Sequence, residues 1–343
     1  MKVTSASVDY PAALVMAKDG LPLSADNTRR LFDAIFTGQL SENEIVAYLS
    51  ATADRKPTVD ELVGAVTSMR SHMRAITAPA GAIDLCGTGG DGLGTLNIST
   101  AVSFVVAANG VPVAKHGNRS ASSRSGAADV LEALGVNINL APEVAAAVLR
   151  ETGLVFLFAQ TYHPAMKYVG AARKQIGRRT IFNLLGPLAS PAKVTRQLVG
   201  VFSSDWLVPY AEALRRLGSE HAVIVHGRDG LDEVSISDAT EMAVLENGAV
   251  TTRTLTPEGA GLSRADLAAL RGGDASHNAA ALTRLFDGEL GAYRDIVLIN
   301  AGAALTVAGA AGDVKSGVAL AAKALDSSAA KAKLNALIEA SNR

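Results

Sequence analysis

Four glycines fall within the six residues Gly87-Thr88-Gly89-Gly90-Asp91-Gly92, straight after a β-rich run at 83–85, and Asn97-Ile98-Ser99-Thr100 then leads into a helix pattern. A strand, a glycine turn and a helix in close succession point to folds in which a parallel sheet carries ligand loops at its strand ends. The same rhythm persists downstream. The apolar periodicity predicts helices over about 99–109, up to Gly135, from Pro142 to Gly153 and up to Leu217, with strands over 111–114, 154–158, 197–202 and 221–226. Asn247-Gly248 between two apolar runs signals a hairpin.

The first 78 residues read differently. Ser24 precedes Leu31 and Ile35 with Gly38 as a stop, then Ser41 pairs with Glu44 and Thr58 with Glu61. The last two pairs are capping boxes, in which side-chain oxygens satisfy the free amides of a helix start. Helical patterns return over 164–185, and this segment is expected to pack back on the N-terminal helices. The predicted class is α/β. A small all-helical domain comprises 1–78 plus about 164–194, and a larger domain with a mostly parallel central sheet flanked by helices comprises about 79–163 plus 195–343.

A chain of 343 residues that is 48% hydrophobic is long enough for a large core. Its formal net charge of -1 gives no global attraction to nucleic acid or to an anionic membrane, so any anion site must be built locally. The single cysteine, Cys86, excludes an intrachain disulfide framework and fits a reducing compartment, the cytoplasm. No stretch reads as a signal peptide. The most apolar late run, 296–311, contains Asn300 and is shorter than the roughly 20 residues of a membrane span.

Three segments carry chemistry. The glycine loop lets backbone N–H groups approach an anion, and the helix start behind it favours negative charge; Thr95, Ser99 and Thr100 offer hydroxyl donors. A plain tight turn with a Ser/Thr cap is the simpler reading of the same residues. Gly87, Gly89 and Gly92 also satisfy the dinucleotide pattern G-x-G-x-x-G, but that site needs an acidic residue about 20 positions on, where this chain has Val111 and Pro112. Lys115-His116-Gly117-Asn118-Arg119 follows instead. The run from Lys115 to Ser123 is expected to leave the next strand on the same sheet edge, with Lys115 and Arg119 neutralising phosphates and Ser122 and Ser123 donating hydrogen bonds. Asp232 and Glu233 sit beyond a third strand, and adjacent carboxylates there suit magnesium, which commonly binds one or two acids, waters and substrate phosphates. Each segment alone also fits an ordinary surface turn; their convergence on one edge is what favours a phosphate site.

Taken together, GTGGDG with TLNIST, KHGNRSASSRSG, HPAMK with Arg173, GRRTIFNLLGPL and GLDE resemble the anthranilate phosphoribosyltransferase family of tryptophan biosynthesis, over nearly the whole chain from about Leu21. The resemblance implies a homodimer whose substrates, phosphoribosyl pyrophosphate and anthranilate, meet near a hinge, with Mg2+, two ions per subunit, as cofactor. By motif match, Gly87, Gly90, Asp91, Thr95, Asn97, Ile98, Ser99 and Thr100 would surround the sugar phosphate and pyrophosphate. So would Lys115, His116, Gly117, Asn118, Arg119, Ser120, Ala121, Ser122, Ser123 and Ala127. Ser99, Asp232 and Glu233 would serve magnesium. Gly87, His116, Asn118 and Arg173 would contact anthranilate, the Arg173 guanidinium taking its carboxylate. Three positions depart from the family pattern: Leu96 replaces a common phenylalanine, Ala127 a common serine, and Tyr162 stands before His163 where a second histidine is frequent. The loss of the hydroxyl at Ala127 removes a phosphate contact, and Tyr162 is expected to alter the acceptor channel.

The implied reaction is attack of the anthranilate amine on the anomeric carbon as pyrophosphate leaves, with inversion. Proximity and orientation account for roughly 7–11 kcal/mol of a barrier reduction, so no general base is required and none is assigned. Two rivals are a pyrimidine-nucleoside phosphorylase of similar fold, which the KHGNR and GLDE segments disfavour, and a nucleic-acid-binding relative, which a net charge of -1 disfavours.

Overall fold

The computed structural model describes residues 9–120 and 124–343. Four helices come first: α1 (Tyr10–Lys18), α2 (Ala25–Phe36), α3 (Glu42–Ala53) and α4 (Val59–Ser71). Both capping boxes form. In α3 the Ser41 N–H donates to Glu44 at 2.8 Å and the Glu44 N–H to the Ser41 hydroxyl at 3.4 Å. In α4 the Thr58 N–H donates to Glu61 at 2.9 Å and the Glu61 N–H to the Thr58 hydroxyl at 3.2 Å. Glu61 is buried, and Arg55 satisfies its charge with two hydrogen bonds at 2.7 and 2.5 Å. The first helix, capped by Asp9, was not among the sequence expectations.

The alternating part follows as β1 (Ile83–Gly87), α5 (Ile98–Ala108), β2 (Val113–Gly117), α6 (Ala127–Ala133), α7 (Pro142–Thr152), β3 (Leu154–Phe158) and the short α8 (Ala159–Tyr162). Then come α9 (Gly170–Ile176), α10 (Phe182–Leu188), β4 (Arg196–Gly200), α11 (Leu207–Arg216), β5 (His221–Gly227), β6 (Thr240–Glu246) and β7 (Ala249–Leu255). Helices α12 (Ala275–Phe286), α13 (Ala292–Ala308), α14 (Val314–Asp326) and α15 (Ala329–Ser341) complete the chain. Among the described residues no helix is long and apolar enough to cross a membrane.

All seven strands form one sheet in the order β3-β2-β1-β4-β5-β6-β7, parallel from β3 to β5 and antiparallel at β6 and β7. Asn247 and Gly248 turn the hairpin with φ of 52° and 74°, both left-handed as a type I′ turn requires. The edges differ: β3 is buried along its length, whereas β7 exposes Thr251, Thr252, Arg253 and Thr254.

Side chains alternate across the sheet. Leu198, Val223 and Val225 join the core formed with α5 and α13, while Val199, Ala222 and Ile224 join the core formed with α1–α4 and α9–α11. The helices thus cover both faces, as a parallel sheet demands. Successive strands run outward from β1 through β2 to β3, then restart on its other side with β4 and β5. The order reverses between β1 and β4, and a ligand crevice is expected at the strand ends there.

Candidate active site

The glycine loop leaves β1 at that reversal. Gly89, Gly90, Gly92 and Gly94 have φ between 62° and 84°, a left-handed path that a side chain would strain. The loop is tied to the end of β4, for the Thr88 N–H donates to the Gly200 carbonyl at 2.8 Å and the Phe202 N–H to the Thr88 hydroxyl at 3.1 Å. Its far end is held from the opposite side. The Leu96 N–H donates to Leu270 and the Gly272 N–H to Gly94, while Thr95 bridges to Arg271.

The carboxylates reach both ends of this loop. The Gly89 N–H donates to Asp232 at 2.9 Å, and the Ser99 N–H, in the first turn of α5, donates to Glu233 at 3.2 Å. Glu233 therefore sits where a helix start attracts an anion. Close approach needs small residues: a β-carbon on Gly87 would lie 2.6 Å from the Asp232 carboxylate. Asp232 is pushed far above the usual carboxylate range, first by burial and then by the charges of Asp91 and Glu233. Glu233 is raised to about 7 by burial, with Lys115 pulling the other way. Three acids against one ammonium is a site short of positive charge. Asp232, Glu233 and the Ser99 hydroxyl supply hard oxygen donors that fit a magnesium ion, although among the described residues no group of three or more acids, histidines or cysteines forms a complete cage.

The second segment differs from its sequence reading. Lys115, His116 and Gly117 belong to β2 rather than to the loop after it, because the strand starts later and runs longer than 111–114. Lys115 is therefore buried, and its ammonium donates to the Leu85 carbonyl and, at 3.1 Å, to the Ser99 hydroxyl. It tightens the back of the site. Asn118 and Arg119 do lie in the loop. The Arg119 guanidinium is partly exposed and pairs with Asp129 and Glu132. Ser120 donates its N–H to Asp129 at 3.3 Å, and Ala127 is the first residue of α6. Ala121, Ser122 and Ser123 lie outside the described residues.

In α5 the positions separate. Asn97 is the N-cap of α5 but its side chain makes no capping bond to the helix; its Oδ1 accepts from Asn278 at 2.8 Å and its carbonyl from the Tyr293 hydroxyl at 3.3 Å. Ile98 and Thr100 are buried, and among the described residues the Thr100 hydroxyl has no partner. Thr100 lines a small void of about 10 Å³ with Ser103, Phe104, Lys115, Leu131 and Phe156.

Two of the four expected acceptor residues, Arg173 and His116, touch α10. Arg173 on α9 lies over the Phe182 ring at 5.7 Å and, among the described residues, forms no ion pair. The His116 Nδ1 lies 3.1 Å from the Gly186 carbonyl, which makes Nδ1 the protonated nitrogen in the neutral ring. Arg173 thus meets α10 at a side chain, and His116 meets it one turn further on at a backbone carbonyl. His163 packs beside His116 with ring centroids 5.0 Å apart. Burial depresses both, His116 to about 3 and His163 to about 4, so both are neutral at ordinary pH. Tyr162 does not line this region: it is fully buried in the sheet-side core and donates its hydroxyl to the Leu140 carbonyl at 3.0 Å.

Asn278, Tyr293, Arg179 and Phe202 touch the loop without having been singled out from sequence, because their partners lie far along the chain. For Arg179 the sole signal was its place in GRRTIFNLLGPL.

Residues 12–73 match a model described as glycosyl transferase family, helical bundle domain, and residues 80–331 one described as glycosyl transferase family, a/b domain. Anthranilate phosphoribosyltransferase of Rhodopseudomonas palustris (strain BisB18) is 53% identical over 334 residues, 97% of this chain and 98% of its own. The crystal structure of anthranilate phosphoribosyltransferase from Thermus thermophilus superposes with a TM-score of 0.91 at 41% identity, covering 96% of this chain and 99% of that one. Anthranilate phosphoribosyltransferase from Saccharomyces cerevisiae in complex with PRPP and Mg superposes with a TM-score of 0.88 at 25% identity, covering 96% and 98%. With the fold and nearly the full length held in common, the chain belongs to the anthranilate phosphoribosyltransferases of the glycosyl transferase family.

Proposed function

We propose that this chain transfers the phosphoribosyl group of 5-phosphoribosyl 1-pyrophosphate to the amine of anthranilate, giving N-(5-phosphoribosyl)anthranilate and pyrophosphate, the second step of tryptophan biosynthesis from chorismate. The observation that carries this reading is the span of the acid pair across the glycine loop, Asp232 on the Gly89 N–H and Glu233 on the Ser99 N–H.

In this reading Gly87, Gly90, Asp91, Thr95, Asn97 and Ser99, with the loop after β2, bind phosphoribosyl pyrophosphate. Asp232, Glu233 and Ser99 hold magnesium, two ions per subunit. Bound there, magnesium supplies the positive charge that a departing pyrophosphate needs. Arg173 takes the anthranilate carboxylate, and neutral His116 with Asn118 and Gly87 orients the ring. The amine already carries a free lone pair, so the protein's own contribution is to align it with the anomeric carbon and to exclude water. No residue is assigned as base; the proton leaves to solvent after the C–N bond has formed. The helical unit, 1–78 with about 164–194, closes over the α/β unit. The protein works as a homodimer in the cytoplasm.

The test mixes the protein with magnesium, phosphoribosyl pyrophosphate and anthranilate and follows anthranilate fluorescence. Loss of fluorescence that requires all three components is expected. No consumption by folded protein would overturn the reading.

A further inference from the structure

The glycine loop is closed by a contact that none of the expected site residues makes. Arg179, in the segment between α9 and α10, places its guanidinium over the Phe202 ring at 4.1 Å and donates to the Gly90 carbonyl. Phe202 is itself bound to the loop, for its N–H donates to the Thr88 hydroxyl at 3.1 Å. Thr88 in turn donates its N–H to Gly200. The result is a ring of contacts, Thr88 to Phe202 to Arg179 to Gly90, that fixes two loop residues two positions apart. Next to it, Arg178 holds Asp54 and, at 3.2 Å, the Ser50 carbonyl of α3.

Three physical points follow. A loop with four left-handed glycines has much freedom to lose, so its shape needs an outside restraint. Gly90 has φ of 84°, and a carbonyl held by Arg179 fixes the peptide plane that also carries the next N–H, that of Asp91. Among the described residues Arg179 has no carboxylate partner, so the flat guanidinium is free to stack on the ring and donate at its edge, a combination a lysine ammonium does not reproduce.

We propose that Arg179 is a positioning residue for the pyrophosphate end of the site: backed by Phe202, it holds the Gly90 carbonyl so that the loop's amides stay directed at the leaving group. The inference rests on the function proposed above and deepens it. Arg179 acts through Gly90 and not by touching the acceptor, and this separates it from Arg173.

The test measures steady-state kinetics for the parent, Arg179→Gln, Arg179→Lys, Phe202→Leu and the double variant Arg179→Gln/Phe202→Leu. In Arg179→Gln the KM for phosphoribosyl pyrophosphate is expected to rise about tenfold, with the KM for anthranilate changed by less than about twofold. Arg179→Lys recovers part of the loss, Phe202→Leu gives a smaller rise in the same constant, and the double variant is no worse than Arg179→Gln. Amide hydrogen exchange over 88–94 in the substrate-free variants should be faster than in the parent, a readout that does not depend on turnover. An unchanged KM for phosphoribosyl pyrophosphate, a rise confined to anthranilate, or multiplying effects of the two substitutions would overturn the proposal. A parent that fails to consume anthranilate sinks the assigned reaction instead, and unchanged exchange over 88–94 then still decides against Arg179. If Arg179→Gln does not fold, Arg179→Lys and Phe202→Leu carry the same comparison.

Discussion

The α-carbon of Gly200 lies so close to Asp232 that a β-carbon there would stand 1.5 Å from the Asp232 carbonyl oxygen. Strand β4 thus ends on a glycine because the backbone of the acidic turn occupies the side-chain space. Gly200→Ala should displace Asp232 from the Gly89 N–H, destabilise the fold by about 1–3 kcal/mol or more, and lower turnover at least tenfold. Thermal melting and the anthranilate assay on one preparation check both; a variant with parental values for both would refute the packing argument.

Crowded acids predict opposite changes in stability and activity. Asp232→Asn keeps an oxygen for the Gly89 N–H and removes one of the charges repelling at Asp91, Asp232 and Glu233. The metal-free variant should melt at the same or a higher temperature than the parent, while the rise in melting temperature on adding magnesium with pyrophosphate shrinks. Asp232→Ala with Glu233→Ala should lower turnover by a factor on the order of 100 or more, since metal polarisation of a phosphoryl oxygen is worth several kcal/mol.

Arg173 lies over Phe182 with no competing carboxylate among the described residues. Removing a charged hydrogen bond costs about 1.5–3 kcal/mol, so Arg173→Ala should raise the KM for anthranilate roughly ten- to a hundredfold and leave that for phosphoribosyl pyrophosphate near the parental value. Equal effects on the two constants would contradict the assignment.

The neutral histidines give a pH dependence with a definite sign. Burial depresses His163 to about 4 from an ordinary 6.5. The unfolded chain takes up its proton near 6.5 and the native one does not until about 4, so this contribution to stability is complete above 6.5 and is lost as the pH falls towards 4. Asp84, raised to about 6 by burial, acts in the opposite direction over the same range, which makes the difference between variant and parent the proper readout. His163→Asn should show a shallower fall in melting temperature between pH 6.5 and 4 than the parent. Parallel curves would show that His163 titrates freely in the native state.

Tyr162 supplies a contrast. Its hydroxyl meets the Leu140 carbonyl inside the core, so Tyr162→Phe should cost about 1–3 kcal/mol for the carbonyl left unpaired and leave the KM for anthranilate unchanged. A variant with parental stability and altered anthranilate KM would return Tyr162 to the acceptor channel.

What the sequence made legible was local. The boxes Ser41/Glu44 and Thr58/Glu61 close within one helical turn, the Asn247-Gly248 hairpin needs two residues, and the glycine loop advertises its own backbone freedom. Strand lengths were less legible. Lys115 and His116 carry polar groups, which read as loop, yet β2 buries them because Leu85, Ser99 and Gly186 accept or meet those groups across the fold. Arg119 reads as a phosphate ligand, whereas its pairing with Asp129 and Glu132 on α6 was not legible. Arg179 and Gly90 are 89 residues apart, and no local pattern can announce such a pair.

The unequal edges of the sheet bear on how the protein behaves in crowded solution. An open strand offers its unpaired backbone groups to any other chain, and here the β3 side is sealed by burial, which leaves β7 as the exposed flank. Its run Thr251, Thr252, Arg253, Thr254 presents hydroxyls and a guanidinium, and a second copy aligned against it would bring like charges together and find little to bury. Protection against edge-to-edge association is thus concentrated in four surface residues about as far from the chemistry as the strand order allows.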